Sequence, residues 1–449
     1  MDLAAALEKA PATPAGEQAR FWLSRVGAAG AEGGLADVER YTPEHAKEIG
    51  FPSDDEGLRE GWRRVAERLG AFRSIGFEEA SPTRLALLIE AEPDRRWKVS
   101  IEVEDAPPHR LTRDWWERVH DFVLEVREAR PEDWPHLCAI EKKTPIVSGG
   151  SRLFFDRGER WFDFKRLMEE AKVGLAFVDD EPAAMTCGAR HACRIGGELK
   201  SLVTVSHLRI LPEHQRKGLW GAVNQVLQPM FQGADGTSAY IAVDNAAMQH
   251  GFRSTPDKWP APFVWARLET AALAGPDGEP AAGRPATSAD AEAIVALLNA
   301  FHGAEELFVP YDAARLSARL ARAPDLYSWE NLLLGEGAVL GVWPAGRALR
   351  TITETEGAAP AANEPGVALD YAWRPGAEAA FEALLRAWCA RLAAGGLETL
   401  SLYTSPGSPG FDLICSLAAS TKDFNMWTPG TAVPKGAEAR GLYIDPVYF

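Results

Sequence analysis

The chain has 449 residues, enough for roughly two to four domains, and its 46% hydrophobic and 25% charged content is that of a globular protein. A formal net charge of −16 disfavours nucleic acid, whose binding rests on Lys and Arg neutralising phosphates, and would favour cationic substrates. Five cysteines at scattered spacings argue against a disulfide framework and for a reducing compartment; with no long apolar run and no signal-peptide pattern, a cytoplasmic protein without membrane contact is expected.

Taken in chain order, residues 1–14 are small and polar enough for a disordered tail. Residues 15–120 read as a small α+β domain. Helical patterns at 17–27 and 57–69 precede alternating segments at 72–78, 84–90 and 97–104. His109 and Arg110 follow in a turn, as ligand contacts or as solvated residues.

An internal repeat organises the rest. Arg127, Ala129, Asp133, Leu137 and Ile140 coincide, at one constant offset, with Arg284, Ala286, Asp290, Ile294 and Leu297. Each copy reads as strand, turn and a helix opened by the aspartate. The first copy continues with a helix at 159–171, strands at 174–178 and 183–190, and a long strand at 202–210. A helix at 219–231, a strand at 238–243, a short helix from Asn245 and a strand at 263–268 complete it. Residues 271–282 have the Ala/Gly/Pro composition of a linker. The second copy offers segments at 332–340, 348–353 and 367–373, a helix at 377–394 and a strand at 397–403. The mixture predicts twisted, mostly antiparallel sheets with helices on both faces.

The most specific stretch is Leu208-Arg209-Ile210-Leu211-Pro212-Glu213-His214-Gln215-Arg216-Lys217-Gly218-Leu219-Trp220-Gly221. An apolar strand stops at a proline, passes through a basic, glycine-containing turn and opens a helix, which aims backbone N–H groups and a helix dipole at one spot and suits phosphate. The Gln-x-x-Gly spacing after a Leu-x-Ile-x-Pro strand resembles the pyrophosphate loop of the GNAT N-acetyltransferases. Where that pattern ends in Gly or Ala this chain has Trp220, with Gly221 one residue on. The resemblance covers about residues 122–449. It implies an α/β (α+β) protein of two tandem GNAT-like mixed-sheet domains, 122–270 and 283–449, behind the small α+β domain. At the equivalent loop the second copy has only Trp373-Arg374-Pro375-Gly376-Ala377, and reads as a degenerate unit that binds no CoA.

The resemblance further implies acetyl-CoA as co-substrate. Its pantetheine arm would meet Leu208, Arg209 and Ile210. Its pyrophosphate would meet the turn amides of Gln215, Arg216, Lys217, Gly218, Leu219, Trp220 and Gly221. Asn245 matches an asparagine that touches CoA, or caps the short helix. The tyrosine that commonly protonates the departing thiolate is missing before Gly251-Phe252, so His250 is the substitute donor. His207 and Ser206, expected on opposite sides of the strand, are the candidate bases, with His207 preferred. The aromatic residues Phe154, Phe155, Trp161, Phe162 and Phe164 form an acceptor wall or plain core. Cys187, His191 and Cys193 lack a fourth ligand, so no metal is expected. The function expected is N-acylation of a small-molecule amine: a cationic amine, an amino acid or an aminoglycoside-like metabolite. A non-catalytic acyl-CoA sensor is the alternative.

Overall fold

The repeat seen in the sequence is a repeated ion pair. Arg127 donates Nη1 and Nη2 to Asp133 at 2.6 and 2.8 Å, and Arg284 does the same to Asp290 at 2.9 and 2.5 Å. Each aspartate also accepts a backbone N–H three residues back, from Arg130 or Thr287, and so closes the turn before a helix. A computed structural model describes residues 10–28, 34–49, 54–69, 72–91, 95–119, 122–148, 151–215, 217–245, 248–249, 260–274, 283–428 and 440–448. The chain divides into two units, Met1–Val123 and Leu124–Phe449.

In the first unit, helices α1 (Pro14–Gly27), α2 (Pro43–Ile49) and α3 (Asp55–Leu69) accompany an antiparallel sheet. Its strands β1 (Phe72–Ala80), β2 (Arg84–Ala91), β3 (Arg95–Val103) and β4 (Leu111–Val119) lie in chain order. Ala15, Ala19, Trp22 and Val26 bury one stripe of α1, in a core shared with Leu85, Leu87 and Ile89 of β2 and Val99 and Ile101 of β3. The expected tail is shorter than its composition suggested. Thr13 caps α1 through Gly16 N–H (3.1 Å) and Pro14 is its first residue, while residues 1–9 lie outside the described residues. His109 adopts a left-handed φ of 55°, and its Nδ1 meets the Glu104 carbonyl at 2.9 Å, a turn-forming role.

The second unit opens with β5 (Leu124–Glu128), α4 (Trp134–Lys143), the hairpin β6 (Ile146–Ser148) and β7 (Ser151–Phe155), and α5 (Asp163–Leu167). Strands β8 (Glu170–Val178), β9 (Glu181–Ile195) and β10 (Glu198–Ile210) follow. Then come α6 (Leu219–Asn224), α7 (Gln228–Phe231), β11 (Gly236–Ala242), β12 (Ala261–Glu269) and α8 (Thr270–Ala274). After these lie β13 (Arg284–Pro285), α9 (Ala291–His302), α10 (Ala313–Ala321), β14 (Leu332–Gly335) and β15 (Ala338–Trp343). The hairpin β16 (Thr351–Thr355) and β17 (Ala361–Asn363), then β18 (Pro365–Trp373), α11 (Glu378–Ala394), β19 (Thr399–Thr404), α12 (Phe411–Leu417) and β20 (Ser420–Trp427) complete it. Among the described residues no helix is long and apolar enough to cross a membrane.

One sheet of twelve strands, in the order 13-14-15-18-19-12-20-11-10-9-8-5, runs through this unit. Both halves of the unit contribute strands to this one sheet. β12 comes from the first half of the unit, yet both its neighbours, β19 and β20, come from the second; β20 in turn lies between β12 and β11. The halves thus exchange their last strands. Two corrections concern local elements. The helix expected at 159–171 ends with α5 at Leu167, because β8 begins at Glu170; the expected linker contributes residues 271–274 to α8, and 275–282 lie outside the described residues. β16 leaves the main sheet to pair with β7 in a four-stranded sheet of order 17-16-7-6.

Strand exchange predicts that neither half is stable alone. Residues 124–274 expressed without 283–449 would expose both edges of β12 and one of β11. They are expected to aggregate, and to become soluble and folded on co-expression with the second half, as judged by size-exclusion chromatography and circular dichroism.

Candidate active site

The site is built by two strands that pair briefly and then part. β10 runs parallel to β11 only from Leu202 to Thr204, against Gly236 to Ser238. Beyond that point β11 keeps an antiparallel partner, β20, on its other edge from Ala239 to Ala242, while β10 has β9. Between Ser206 and Arg209 the β10–β9 register slips by one residue, and His207 takes a left-handed φ of 52°. Such a bulge bends a strand and re-aims its groups. A wedge therefore opens between residues 205–210 and 239–242, with Leu208, Arg209 and Ile210 on its β10 side. At its vertex Thr204 Oγ1 meets Ser238 Oγ at 2.6 Å and His191 Nε2 at 2.8 Å; the Tyr448 ring stacks on His191 with centroids 4.2 Å apart.

The loop beyond β10 starts at buried Leu211, whose N–H bonds the Ala183 carbonyl, and turns through Pro212–His214. Gly218 has φ 85° and ψ 3°, a left-handed conformation that favours glycine, and immediately precedes α6, which no side chain caps. The first N–H groups of α6, at Leu219, Trp220 and Gly221, thus receive no side-chain cap from the N-cap position. Leu219 is buried, whereas Trp220 is 57% exposed. A Cβ on Gly221 would meet nothing within 4 Å, so the loop's shape depends on Gly218 and not on Gly221. Gln215 ends the turn in extended conformation, and Lys217 Nζ lies 3.5 Å from His214 Nδ1. Arg216 and His250 lie outside the described residues. Asn245 Oδ1 accepts the Met248 N–H at 3.3 Å, the helix-capping role among its two alternatives.

Ser206 and His207 do not face opposite sides as strand alternation suggested, because the bulge breaks the alternation. Ser206 Oγ lies 3.0 Å from His207 Nδ1. On its other side His207 Nε2 accepts a hydrogen bond from Arg157 Nη2 at 2.7 Å, so the imidazole is neutral and carries its proton on Nδ1. A nitrogen whose lone pair is held by a guanidinium cannot take a proton from a substrate. Both ring nitrogens of His207 are thus engaged, Nδ1 by Ser206 and Nε2 by Arg157.

Arg157 and Glu141 are the site residues that sequence reasoning missed. Both are 1% exposed, with Arg157 Nη2 3.8 Å from Glu141 Oε1. Glu141 Oε2 accepts the Trp161 indole N–H at 3.1 Å. Phe155 and Phe164 lie against the Arg157 guanidinium at 4.2 and 4.8 Å from their ring centroids; Phe162 packs edge-on to Trp161. Arg209 turns its side chain inward, and its Nη1 donates to the Thr144 carbonyl at 3.2 Å. Burial pushes the Glu141 carboxyl up, against the pull of Arg157, Arg209 and the Trp161 N–H. A signal for Glu141 existed in the sequence: it stands four residues after Leu137, on the buried stripe of α4.

No protein-family model and no curated protein sequence matches this chain. Among solved structures, a GCN5-related N-acetyltransferase from Sphaerobacter thermophilus aligns with TM-score 0.43 and 15% identity, over 69% of this chain and 97% of that one. One from Kribbella flavida gives 0.37 and 13%, over 68% and 71%. N-myristoyltransferase from Saccharomyces cerevisiae with bound myristoyl-CoA gives 0.50 and 10%, over 76% of this chain and 92% of that one. The chain has the GNAT fold.

The His207 environment has a measurable consequence. Burial, then the Arg157 and Arg209 cations, hold its imidazole well below the ordinary value of 6.5. The unfolded chain binds a proton there as pH falls through 6.5, while the folded chain does not, so this contribution to stability is present above 6.5 and fades below it. Melting temperature is expected to fall between about pH 7 and pH 5, and to fall less steeply in His207→Gln, measured by scanning fluorimetry.

Proposed function

We propose that this protein is an acyl-CoA-dependent N-acyltransferase, that its co-substrate is acetyl-CoA and that its acceptor is a small-molecule amine. The observation that carries the reading is the wedge between β10 and β11, opened by the bulge at His207 and leading to the left-handed Gly218. An extended pantetheine arm fits beside residues 205–210, where the β10–β11 ladder has ended and β10 pairs with β9 alone, and a diphosphate fits the uncapped N–H groups after Gly218. The yeast structure that shares the fold holds an acyl-CoA.

The second half supports a single CoA site per chain. β18 and β19 also run parallel for three residues, Pro365 to Val367 against Thr399 to Ser401. There, however, Tyr371 OH crosses to the Tyr403 carbonyl at 2.9 Å, and His302 Nε2 bonds the Tyr371 carbonyl at 2.7 Å. The chain thus satisfies its own backbone where a coenzyme would bind. We read this half as a duplicated unit turned into scaffold.

An amine with a pKa near 10.4 costs about 4.6 kcal/mol to deprotonate at neutral pH, and positioning against the thioester can supply more than that. With His207 occupied, Glu141 is the proton acceptor: its Oε1 accepts no hydrogen bond, Arg157 Nη2 standing 3.8 Å off, and burial raises its affinity for a proton. The freed nitrogen attacks the thioester carbon, the C–S bond breaks, and Ser206 and His250 stand as proton donors to the departing thiolate. A cytoplasmic location suits such chemistry.

Gly218→Asp places a carboxylate and a strained backbone where the diphosphate would lie, and is expected to weaken CoA binding by about 100-fold in calorimetry. Unchanged affinity would put the coenzyme elsewhere. Glu141→Gln is expected to lower kcat by about 100-fold or more with CoA affinity retained. Tight CoA binding without acceptor-dependent thiol release from the wild-type chain would identify a sensor instead.

A further inference from the structure

A cavity of about 40 Å³ is walled by both halves of the second unit. The first half gives it His191 of β9 and Tyr240 of β11; the second gives Arg315 and Arg319 of α10, with Tyr443 and Asp445 beyond β20. The cavity adjoins the wedge, because Tyr240 stands on its β11 wall and His191 Nε2 meets Thr204 Oγ1, at the vertex, at 2.8 Å. Its charges are separated and not cancelled in place. Arg319 donates Nε to Asp370, behind the wall, at 3.2 Å, and Nη1 and Nη2 to Asp445 at 2.7 and 3.1 Å, so two carboxylates share one guanidinium. Arg322, also on the wall, is matched by Glu169 at 3.3 Å. Arg315 donates Nη1 to the Val309 and Pro310 carbonyls at 3.0 and 3.3 Å and, among the described residues, has no carboxylate partner. One end of the cavity thus has an excess of negative charge and the other an unanswered cation. Burial holds the His191 imidazole below its ordinary 6.5, so it adds no charge at neutral pH. After burial, the charge acting most strongly on both His191 and Tyr240 is that of Asp445, which sets the acid end on the wedge side. Tyr443 adds a buried hydroxyl with no hydrogen-bond partner, an arrangement that native interiors rarely leave without a guest.

We propose that this cavity binds a free amino acid as the acyl acceptor, its ammonium toward Asp445 and the wedge and its carboxylate toward Arg315. The proposal rests on the acyltransferase reading and narrows its acceptor; the products are the N-acyl amino acid and the CoA thiol. A zwitterion carries both signs of charge a few bonds apart and answers both ends of the cavity. A simple amine leaves the Arg315 cation unanswered, and a simple carboxylate leaves the acid end so. A guanidinium also offers a carboxylate two parallel donors, which an amide cannot use in the same way. About 40 Å³ holds about three water-sized groups, enough for an ammonium–carbon–carboxylate head but not for a chain that continues past the carboxyl.

The test sets each of the twenty standard amino acids beside its C-terminal amide on the full-length protein. In calorimetry without CoA, at least one amino acid is expected to bind about 30-fold or more tightly than its amide. In acetyl-CoA turnover, the same amino acid is expected to exceed its amide in kcat/KM by about 100-fold or more. Arg315→Gln, checked by circular dichroism, is expected to bring both ratios near one with CoA affinity unchanged, and Arg315→Lys to recover part of the preference. Should neither variant fold, the wild-type comparison decides. Equal affinity for acid and amide, no binding of any amino acid, or a preference that survives Arg315→Gln overturns the proposal. Selective amino-acid binding by a chain that binds no CoA would keep this site and reject the acyltransferase reading; turnover of amines with no preference for the free acid would do the reverse.

Discussion

Two parallel strands that share only three residue pairs set up everything else in the second unit. A longer β10–β11 ladder would close the sheet and leave no edge for a ligand; a shorter one would leave β11 unanchored to its own half. The polar contact between Thr204 and Ser238 marks where the ladder stops. The bulge at His207 and the insertion of β20 on the far edge of β11 pull the strands apart from there. Backbone groups that a sheet would normally consume are thereby not taken up by a β10–β11 ladder.

The bulge is held by side chains rather than by the ladder. His207 sits between Ser206 and Arg157, stacks on Phe164 with centroids 4.9 Å apart, and so keeps a left-handed backbone that a non-glycine residue rarely adopts. Arg157 is in turn fixed by aromatic faces and by Glu141. Removing one partner of such a buried charged set typically costs about 3–5 kcal/mol, because the other charge stays behind. Strand shape and site electrostatics are therefore one device, and substitutions at Arg157 act on both.

Much of this was legible in the sequence where the cause is local. The Arg127–Asp133 and Arg284–Asp290 pairs span six residues each, so their recurrence exposed the repeat, and the proline stop, Gly218 and helix start of the loop are likewise contiguous. The strand exchange was not legible, because β12 and β20 alternate in the same way whichever half they join. The bulge was hidden too: strand alternation assigns Ser206 and His207 to opposite faces, and only the pairing with β9 shows the extra residue. Glu141 was masked by its position on an otherwise ordinary amphipathic helix. Net charge was uninformative about the site, since a chain-wide excess of acid says nothing about the sign of one buried cluster.

The exchange of last strands also has a cost in time. β12 is complete at Glu269, but its neighbour β20 ends at Trp427. At a synthesis rate of about 5–20 residues per second, the ribosome needs roughly 8 to 30 seconds to deliver the missing partner. Through that interval β12 leaves the exit tunnel with neither flank covered, two open edges at the point where the halves later interlock.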